Sequence, residues 1–187
     1  MSREQVGNRL LCMHAKVVLH KLRRNQIDTD DFHQLALAVG VLTDAPIYLD
    51  DSPGMSIVSL RAKARRMASK HDVGLIVVDY LQLMGSPGSS NRQEEVSAIS
   101  RGLKALAREI NVPVVVLSQL NRQSEGRVDR RPRMSDLRES GAIEQDADVI
   151  ALMHREDYYN RGDDDYTPNN VAEVIIEKQR QGPTGTV

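Results

Sequence analysis

Polar side chains that could act on a phosphate follow two apolar runs in this sequence. Asp79 interrupts the valine- and isoleucine-rich run 74–84, and Gln119 follows the run 112–117. In open parallel sheets, ligands lie beyond the carboxyl ends of the strands, where a carboxylate can hold Mg²⁺ and an amide can sense a γ-phosphate. We therefore expect Asp79, Gln119 and the stem of the segment 121–138 to lie together at one edge of the sheet. Strand-end residues of these types also simply cap turns, so both interpretations stay open at this point.

Two cations follow a third apolar run, which we predict to be a strand at 171–176. Lys178 and Arg180 precede the turn-rich sequence Gln181-Gly182-Pro183-Thr184-Gly185. Two cations projecting from a stiff sheet edge suit the clamping of a phosphate, which is the task of an arginine finger. The alternative is a pair of solvated surface charges.

The segment 121–138 is basic and has no regular apolar periodicity. It carries six arginines against three acids, with glycine and proline inside it. This composition predicts a long mobile loop. The six arginines are Arg122, Arg127, Arg130, Arg131, Arg133 and Arg138.

Helices and strands alternate in the pattern that must position these residues. We predict four helices: one that begins at the capping box 2–5, one at 30–42, one that follows the turn 52–54 and one at 94–110. We predict strands at 46–49, 74–84, 112–117, 148–153 and 171–176. This alternation indicates an α/β fold built on a mainly parallel sheet, with strands 74–84 and 112–117 buried on both faces. The predicted buried faces are Val6, Leu10, Met13 and Val17; Phe32, Leu35, Ala36 and Val39; Ile57, Leu60, Ala64 and Met67; and Val96, Ile99, Leu103, Leu106 and Ile110.

Composition sets broad limits on the class of protein. The chain has 187 residues, of which 40% are hydrophobic and 27% charged, which fits one α/β domain. A formal charge of -1 does not exclude nucleic acid, because the basic residues are segregated along the chain. The single cysteine, Cys12, excludes an internal disulfide framework. Without a bilayer-spanning run or a secretory signal, we expect a cytoplasmic protein.

Five motifs, in order and at family spacing, resemble those of the DnaB-type replicative DNA helicases. They are VDYLQLM at 78–84, VPVVVLSQLNR at 112–122, SDLRESG at 135–141, IEQDAD at 143–148 and KQRQGPTG at 178–185. The resemblance covers essentially the whole chain. It implies a RecA-like P-loop NTPase core in a ring hexamer, which hydrolyses ATP or another nucleoside triphosphate with Mg²⁺ and unwinds duplex DNA in the 5'-3' direction at the replication fork. It also implies single-stranded DNA, primase and a helicase loader as partners.

The resemblance assigns roles to the four residues that could act on a phosphate. Asp79 would be the Walker B carboxylate, which holds Mg²⁺ directly or through water, and Gln119 would be the γ-phosphate sensor. Lys178 and Arg180 would reach the γ-phosphate bound by the neighbouring subunit.

The resemblance also implies a DNA-binding segment at the loop. Arg122, Arg138, Glu139 and Gly141 would hold the backbone of the single strand. Cations and backbone amides suit a protein that moves along any sequence, because they bind phosphates and do not recognise bases. The carboxylate of Glu139 cannot attract phosphate, so we expect it to orient Arg138 or a neighbouring subunit, or its backbone to make the contact.

One motif of the family is missing from these residues. None of the twelve glycines is followed by lysine, so no G-x-x-x-x-G-K-[ST] phosphate loop occurs. We therefore expect residues 1–187 to be a partial helicase ATPase domain, cut at both ends, without the Walker A segment, the catalytic glutamate and the amino-terminal primase-interacting domain. Alone, this polypeptide should bind nucleotide very weakly.

Three interpretations remain open at this stage. The first is a fragment of an ATP-driven helicase. The second is a non-catalytic remnant, or a DNA-binding or ring-modulating protein that uses Lys178 and Arg180 in trans. The third is a relative of the RecA-fold recombinases or clock ATPases, which share the roles that the resemblance assigns to Asp79 and Gln119. The motifs at 136–141 and 178–185 argue against this third interpretation.

Overall fold

A computed structural model describes residues 1–85, 91–121, 126–127, 129–137, 141–160, 162 and 165–187. The chain divides into two compact units, Met1–Pro53 and Gly54–Val187. The helices are α1 (Arg3–Ala15), α2 (Leu19–Arg23), α3 (Thr29–Asp44), α4 (Ile57–Lys70), α5 (Arg92–Ile110), α6 (Gly141–Asp146) and α7 (Glu156–Tyr159). The strands are β1 (Ile76–Val78), β2 (Val114–Val116), β3 (Val149–His154), β4 (Glu173–Gln179) and β5 (Gly185–Thr186), and 3₁₀ helices occur at Leu81–Leu83 and Met134–Asp136.

The first unit is helical. Ser2 and Asp28 cap α1 and α3 with the reciprocal hydrogen bonds of a capping box, which confirms the predicted helix beginning at Ser2. The predicted buried faces are only partly right, because the core of this unit consists of Cys12, Ala15, Val17, Leu35 and Ala38. Small residues let α1 and α3 approach on that face.

Two predictions about the first unit are wrong. Met13 is 75% exposed and Phe32 is 64% exposed, so neither belongs to the core. The segment 46–49 is not a strand, and Ile47, Tyr48 and Leu49 are exposed. Side chains with high β propensity form a strand only where a neighbouring strand supplies hydrogen bonds, and within the described residues no strand lies beside 46–49 in a sheet.

In the second unit, a parallel strand pair packs against two helices. β1 and β2 pair with Val78 opposite Val116. The core beside them contains Ile57 from α4, and Val96, Ile99 and Leu103 from α5, at the spacing predicted for α5. Within the described ranges, no helix has the length and apolar character needed to cross a membrane.

The other face of this strand pair departs from the prediction of burial on both faces. Val77 is 57% exposed and Val115 is 47% exposed, with Leu75 and Leu117 similarly exposed. An apolar run does not distinguish a strand buried on one face from a strand buried on both, because burial depends on the elements that cover it.

The remaining strands form a separate antiparallel sheet in the order β3-β4-β5. Burial alternates along β3, where Ile150, Leu152 and His154 are buried. The α/β class is therefore confirmed, and the predicted parallel pairing holds for β1 and β2. The predicted strands at 148–153 and 171–176 are found as β3 and β4, but they pair antiparallel.

A buried carboxylate organises the polar segment between β3 and β4. Asp157 is only 7% exposed. It accepts hydrogen bonds from the Tyr166 hydroxyl at 2.8 Å, from the Asn169 and Asn170 amides at 3.0 Å and from Arg155 Nη2 at 3.2 Å. Burial raises the pKa of Asp157, but the hydrogen bonds outweigh it and the pKa lies below its ordinary value.

Asp157→Asn should lower the melting temperature of the chain near neutral pH, because the amide cannot accept every one of these donors. A depressed folded pKa contributes stability that is present above the unfolded pKa of about 3.9 and is lost as the pH falls through the folded value. The difference between wild type and variant should therefore shrink on acidification below about pH 4. Thermal unfolding followed by circular dichroism measures it; a difference independent of pH would contradict the assigned role.

Candidate functional site

The structure places Asp79 and Gln119 at one edge of the parallel pair. Asp79 directly follows β1, and Gln119 lies three residues beyond the end of β2. Both residues are exposed. Since β1 and β2 are adjacent and parallel, their carboxyl ends lie side by side. The shared edge predicted from the sequence is confirmed, while the roles of the two side chains remain predictions.

The hydrogen-bond ladder between the strands is irregular at Asp79. Leu117 donates its amide to the Val78 carbonyl at 2.9 Å and accepts from the Leu81 amide at 2.9 Å. In a regular parallel ladder, these two bonds would flank one residue, whereas here they flank Asp79 and Tyr80, which are joined by a cis peptide bond. The extra residue makes a bulge at the single acid of the apolar run, and bulges commonly redirect side chains beside functional sites.

Gln82 also lies at this edge, although no role is predicted for it from the sequence. Its Nε2 donates to Ser118 Oγ at 3.0 Å and to the Gln119 carbonyl at 3.4 Å. Its Oε1 accepts from the Gln119 amide at 3.2 Å. The only signal in the sequence was a polar residue inside an apolar run, and its partners lie 36 and 37 positions away.

The stem of the basic segment also begins at this edge. Leu120 forms an antiparallel bridge with Leu137, and the Asn121 amide donates to the Asp136 carbonyl at 2.7 Å. The Asp136 side chain is buried, accepts from the Arg133 amide at 2.7 Å and forms an ion pair with Arg127. Where it is described, the segment is therefore more structured than the predicted mobile loop.

The four described arginines of this segment all have partners within the chain. Arg127 pairs with Asp136, Arg131 with Glu173 at 2.7 Å, and Arg133 with Asp129 at 3.0 Å, while Arg130 lies 5.8 Å from the centre of the Tyr159 ring. The hydrogen bond from Arg133 lowers the pKa of Asp129. These partners neutralise charge that the sequence suggested was available to DNA.

The predicted DNA-binding residues are only partly visible. Arg122, Arg138 and Glu139 lie outside the described residues. Gly141 begins α6 and is exposed, and a Cβ there would meet no atom of the described residues within 4 Å. Packing against the described residues therefore does not require a glycine at this position.

Lys178 and Arg180 form a second group, located at the end of β4. Lys178 Nζ donates to the Glu144 carbonyl, and Arg180 Nη2 donates to the Gln145 carbonyl at 2.5 Å. These carbonyls lie in the last turn of α6, where helix carbonyls lack partners and the helix dipole is negative. The hydrogen bonds of the two cations go to α6 and not to Asp79 or Gln119, so the structure does not bring the four predicted residues into one cluster.

Asp148 supplies the counter-charge for this second group. Its carboxylate pairs with Lys104 on α5 and lies 3.7 Å from Arg180 Nε. The hydrogen bond from Lys104 lowers the pKa of Asp148 against the opposing effect of desolvation, and the charges of Lys104, Arg180 and Arg108 lower it further. Asp148 therefore stays ionised at neutral pH and holds Arg180 close to the sheet.

Asp79 fits a magnesium ion that is bound mainly by other groups. Among the residues described, no group of three or more histidine, cysteine, aspartate or glutamate side chains could hold a metal ion. Mg²⁺ commonly takes only one or two protein carboxylates and fills its other positions with water and substrate phosphates. A single exposed carboxylate suits that arrangement.

Comparison with known proteins gives consistent matches over the entire chain. The family model of the DnaB-like helicase C terminal domain matches residues 1–187. The chain is 50% identical over 189 residues to the replicative DNA helicase DnaB of Geobacillus stearothermophilus and 48% identical over 189 residues to the replicative DNA helicase DnaC of Bacillus subtilis strain 168. In both cases the match covers 100% of this chain but only 41% of the relative.

Solved structures agree with these sequence matches. A DnaB-like replicative helicase, described with its interactions with primase, and the ATPase domain of G40P each superpose with a TM-score of 0.91 at 39% identity. Each match covers 100% of this chain, with 45% of the first structure and 66% of the second. These matches confirm the RecA-like fold expected from the sequence.

The buried carboxylate of Asp136 gives a prediction for the loop stem. Asp136→Ala should destabilise the chain by about 2 kcal/mol, because it removes the buried carboxylate that accepts from Arg127 and from the Arg133 amide. Asp129→Ala is the matched control, since its pair with Arg133 is exposed, and it should cost less than about 1 kcal/mol. Urea unfolding measures both values. Equal effects would show that Asp136 does not organise the stem.

Proposed function

Because the chain belongs to the DnaB-like helicase C terminal domain family, we propose that it is part of the motor of a replicative DNA helicase that hydrolyses ATP as a ring hexamer and unwinds duplex DNA. The observation that carries the proposal is the position of Asp79 and Gln119 at the carboxyl edge of β1 and β2. The chain spans about 41% of the length of the curated relatives that it matches, so the activity and partners of the whole helicase are proposals for this chain.

In this proposal, Asp79 orients Mg²⁺ and its water ligands, while Gln119 contacts the γ-phosphate. The metal ion neutralises charge on the phosphates when it is bound with the nucleotide. Gln119 carries no charge and has both a donor and an acceptor, so it can bind a phosphate oxygen or orient the attacking water. The bulge at Asp79 and Tyr80 lets the carboxylate leave the ladder without breaking the pairing of Leu117.

Lys178 and Arg180 then act on a nucleotide held by a neighbouring subunit. Each cation already donates to a carbonyl of α6. Lysine has three donors and arginine five, so each keeps donors for a phosphate while α6 fixes its position. The Arg180 side chain is 47% exposed, which leaves it accessible to another subunit.

The DNA strand would contact the segment that ends at Gly141. Arg122 and Arg138 would bind phosphates, backbone amides near Gly141 would add neutral donors, and Glu139 would orient Arg138. The other described arginines of the segment contact carboxylates or Tyr159, which favours Arg122 and Arg138 as the residues that bind phosphate. Those arginines shape the segment, while the remaining arginines bind phosphate without regard to base sequence.

Primase and a helicase loader are the further partners that we infer, together with a cytoplasmic location. Primase is supported by the structural relative described with it, whereas the loader follows from family membership alone. A second candidate function is a non-catalytic, trans-acting subunit. It would use Lys178 and Arg180, whose hydrogen bonds go to α6 and not to Asp79 or Gln119, on a nucleotide held by another subunit.

The ATPase role can be tested with a chimera in which this chain replaces the matching 189 residues of the Geobacillus stearothermophilus relative. The 187-residue polypeptide alone should show no ATPase activity above background, because it lacks a phosphate loop. The chimera should be active, and Arg180→Ala in it should lower kcat about a thousandfold with a much smaller effect on nucleotide affinity.

The matched control is Arg101→Ala, which removes an exposed arginine from α5 and should leave kcat unchanged. Steady-state ATP hydrolysis measures all four proteins. Robust hydrolysis by the 187-residue polypeptide would refute the assignment of the phosphate-binding groups. An active chimera that tolerates Arg180→Ala would remove the arginine from the site.

The DNA-binding role predicts weak, sequence-indifferent and salt-sensitive binding of single-stranded DNA. Arg138→Ala should lower the affinity and reduce the slope of log K against log salt by about 0.7, the value for one lost phosphate contact on a single strand. Arg61→Ala is the control, because Arg61 is bound to Glu109 on the α4 and α5 surface. Fluorescence anisotropy with a labelled oligonucleotide measures both. An unchanged slope for Arg138→Ala would exclude it from the DNA site.

A further inference from the structure

Gln82 makes a two-way amide contact with the backbone of Gln119. It accepts from the Gln119 amide at 3.2 Å and donates to the Gln119 carbonyl at 3.4 Å, with a further donation to Ser118 Oγ at 3.0 Å. A side-chain carboxamide thus takes the place that the next peptide group of a neighbouring strand would occupy. This contact begins where the ladder ends, since β2 stops at Val116 and Leu117 makes the last backbone bonds to Val78 and Leu81.

Gln82 is itself firmly held. It lies in the 3₁₀ helix Leu81–Leu83, where Leu81 is 3% exposed, and Met84, which follows, is 4% exposed. Its carbonyl accepts from Arg92 Nη2 at 2.8 Å, and Arg92 also pairs with Glu95 at 2.5 Å on the first turns of α5. Because the backbone of Gln82 is held in this way, its side chain can restrict the backbone of Gln119.

The contact joins three parts of the site. Gln82 lies three residues after Asp79, Gln119 holds the amide proposed to contact the γ-phosphate, and Leu120 and Asn121 begin the stem that is bridged to Asp136 and Leu137. A displacement of Gln119 therefore changes its contact with Gln82 and pulls on the stem. The Gln119 side chain is exposed, so its direction depends on the orientation of the backbone that carries it.

We propose that Gln82 is a positioning residue that sets the backbone of Gln119 and keeps its side-chain amide at a fixed place relative to the Asp79 carboxylate. This inference rests on the proposed ATPase function, because Gln119 needs a defined orientation only if it contacts the nucleotide. Gln82 itself need not touch the nucleotide. Both halves of its carboxamide are required, since Oε1 accepts and Nε2 donates.

The first test examines the contact in the 187-residue chain. Gln82→Met keeps the length of the side chain but removes the donor and the acceptor. The Gln119 amide should be protected from hydrogen exchange in the wild type and lose that protection in Gln82→Met. Gln82→Glu keeps an acceptor for the Gln119 amide and should retain part of it. Gln93→Met, at an exposed glutamine on α5, is the matched control and should change nothing at Gln119.

The second test is a double-mutant cycle in the chimera described above. Gln82→Met should lower kcat about tenfold to a hundredfold, the scale expected when a reacting group is misplaced by about 1 Å, with little change in the KM for ATP. In a Gln119→Ala background, the same substitution should have no further effect on kcat, because Gln82 acts only through Gln119. Gln82→Glu should give a smaller loss than Gln82→Met.

The outcomes separate the two proposals. Equal losses from Gln82→Met in both backgrounds would show a general structural effect and overturn the positioning role, as would unchanged exchange at the Gln119 amide. An inactive wild-type chimera would contradict the proposed ATPase function, while the exchange measurement would still decide whether Gln82 holds Gln119. If Gln82→Met fails to fold, the cycle with Gln82→Glu decides in its place by the same comparison.

Discussion

The site depends on the backbone pairing of two short parallel strands through Leu117. Its amide and carbonyl bind Val78 and Leu81, so that both ends of the Asp79-Tyr80 bulge are tied to β2. This one residue therefore fixes where the carboxylate leaves β1 and where Ser118 and Gln119 leave β2. The buried side chains beneath the pair, including Ile99 at 0% exposure, resist any shift of the strands, because close-packed cores do not deform gradually. Packing against α5 therefore makes the edge that carries Asp79 and Gln119 rigid.

Charge is organised differently at Asp79 and at the cations of the second unit. At the β1 and β2 edge, Asp79 is exposed, whereas most cations elsewhere are already bound: Arg127 to Asp136, Arg131 to Glu173, and Arg180 to α6 and Asp148. Such pairing loses little side-chain entropy, because the guanidinium group is planar and rigid, and it gives each guanidinium group a defined direction. In the proposed function, a phosphate from another subunit would meet Arg180 already positioned by the end of a short helix that starts at Gly141, next to the segment proposed to bind DNA. The segment proposed to bind DNA thus leads into the first residue of α6, and Lys178 and Arg180 bind carbonyls in its last turn.

Sequence reasoning succeeded where local rules determine the outcome. The capping box at Ser2, the apolar spacing of α5 and the strand-end position of Asp79 and Gln119 all follow from short-range patterns. It failed where the answer depends on distant partners: the exposed face of Val77 and Val115, the missing strand at 46–49, and the antiparallel pairing of β3 and β4. Gln82 was missed for the same reason, since its partners lie far away in the sequence. The roles of Lys178, Arg180 and the DNA-binding residues came from motif resemblance and stay predictions.

The most direct test of the account is a crystal structure of the chimera with Mn²⁺ and a non-hydrolysable ATP analogue. Manganese replaces magnesium in oxygen-rich sites, and its anomalous signal locates the ion independently of the surrounding model. We predict one anomalous peak either about 2 Å from an Asp79 carboxylate oxygen or one water molecule away from it. The terminal phosphate should lie within hydrogen-bonding distance of the Gln119 side chain. A metal ion bound to a different carboxylate, or a terminal phosphate away from the edge formed by β1 and β2, would contradict the central claim.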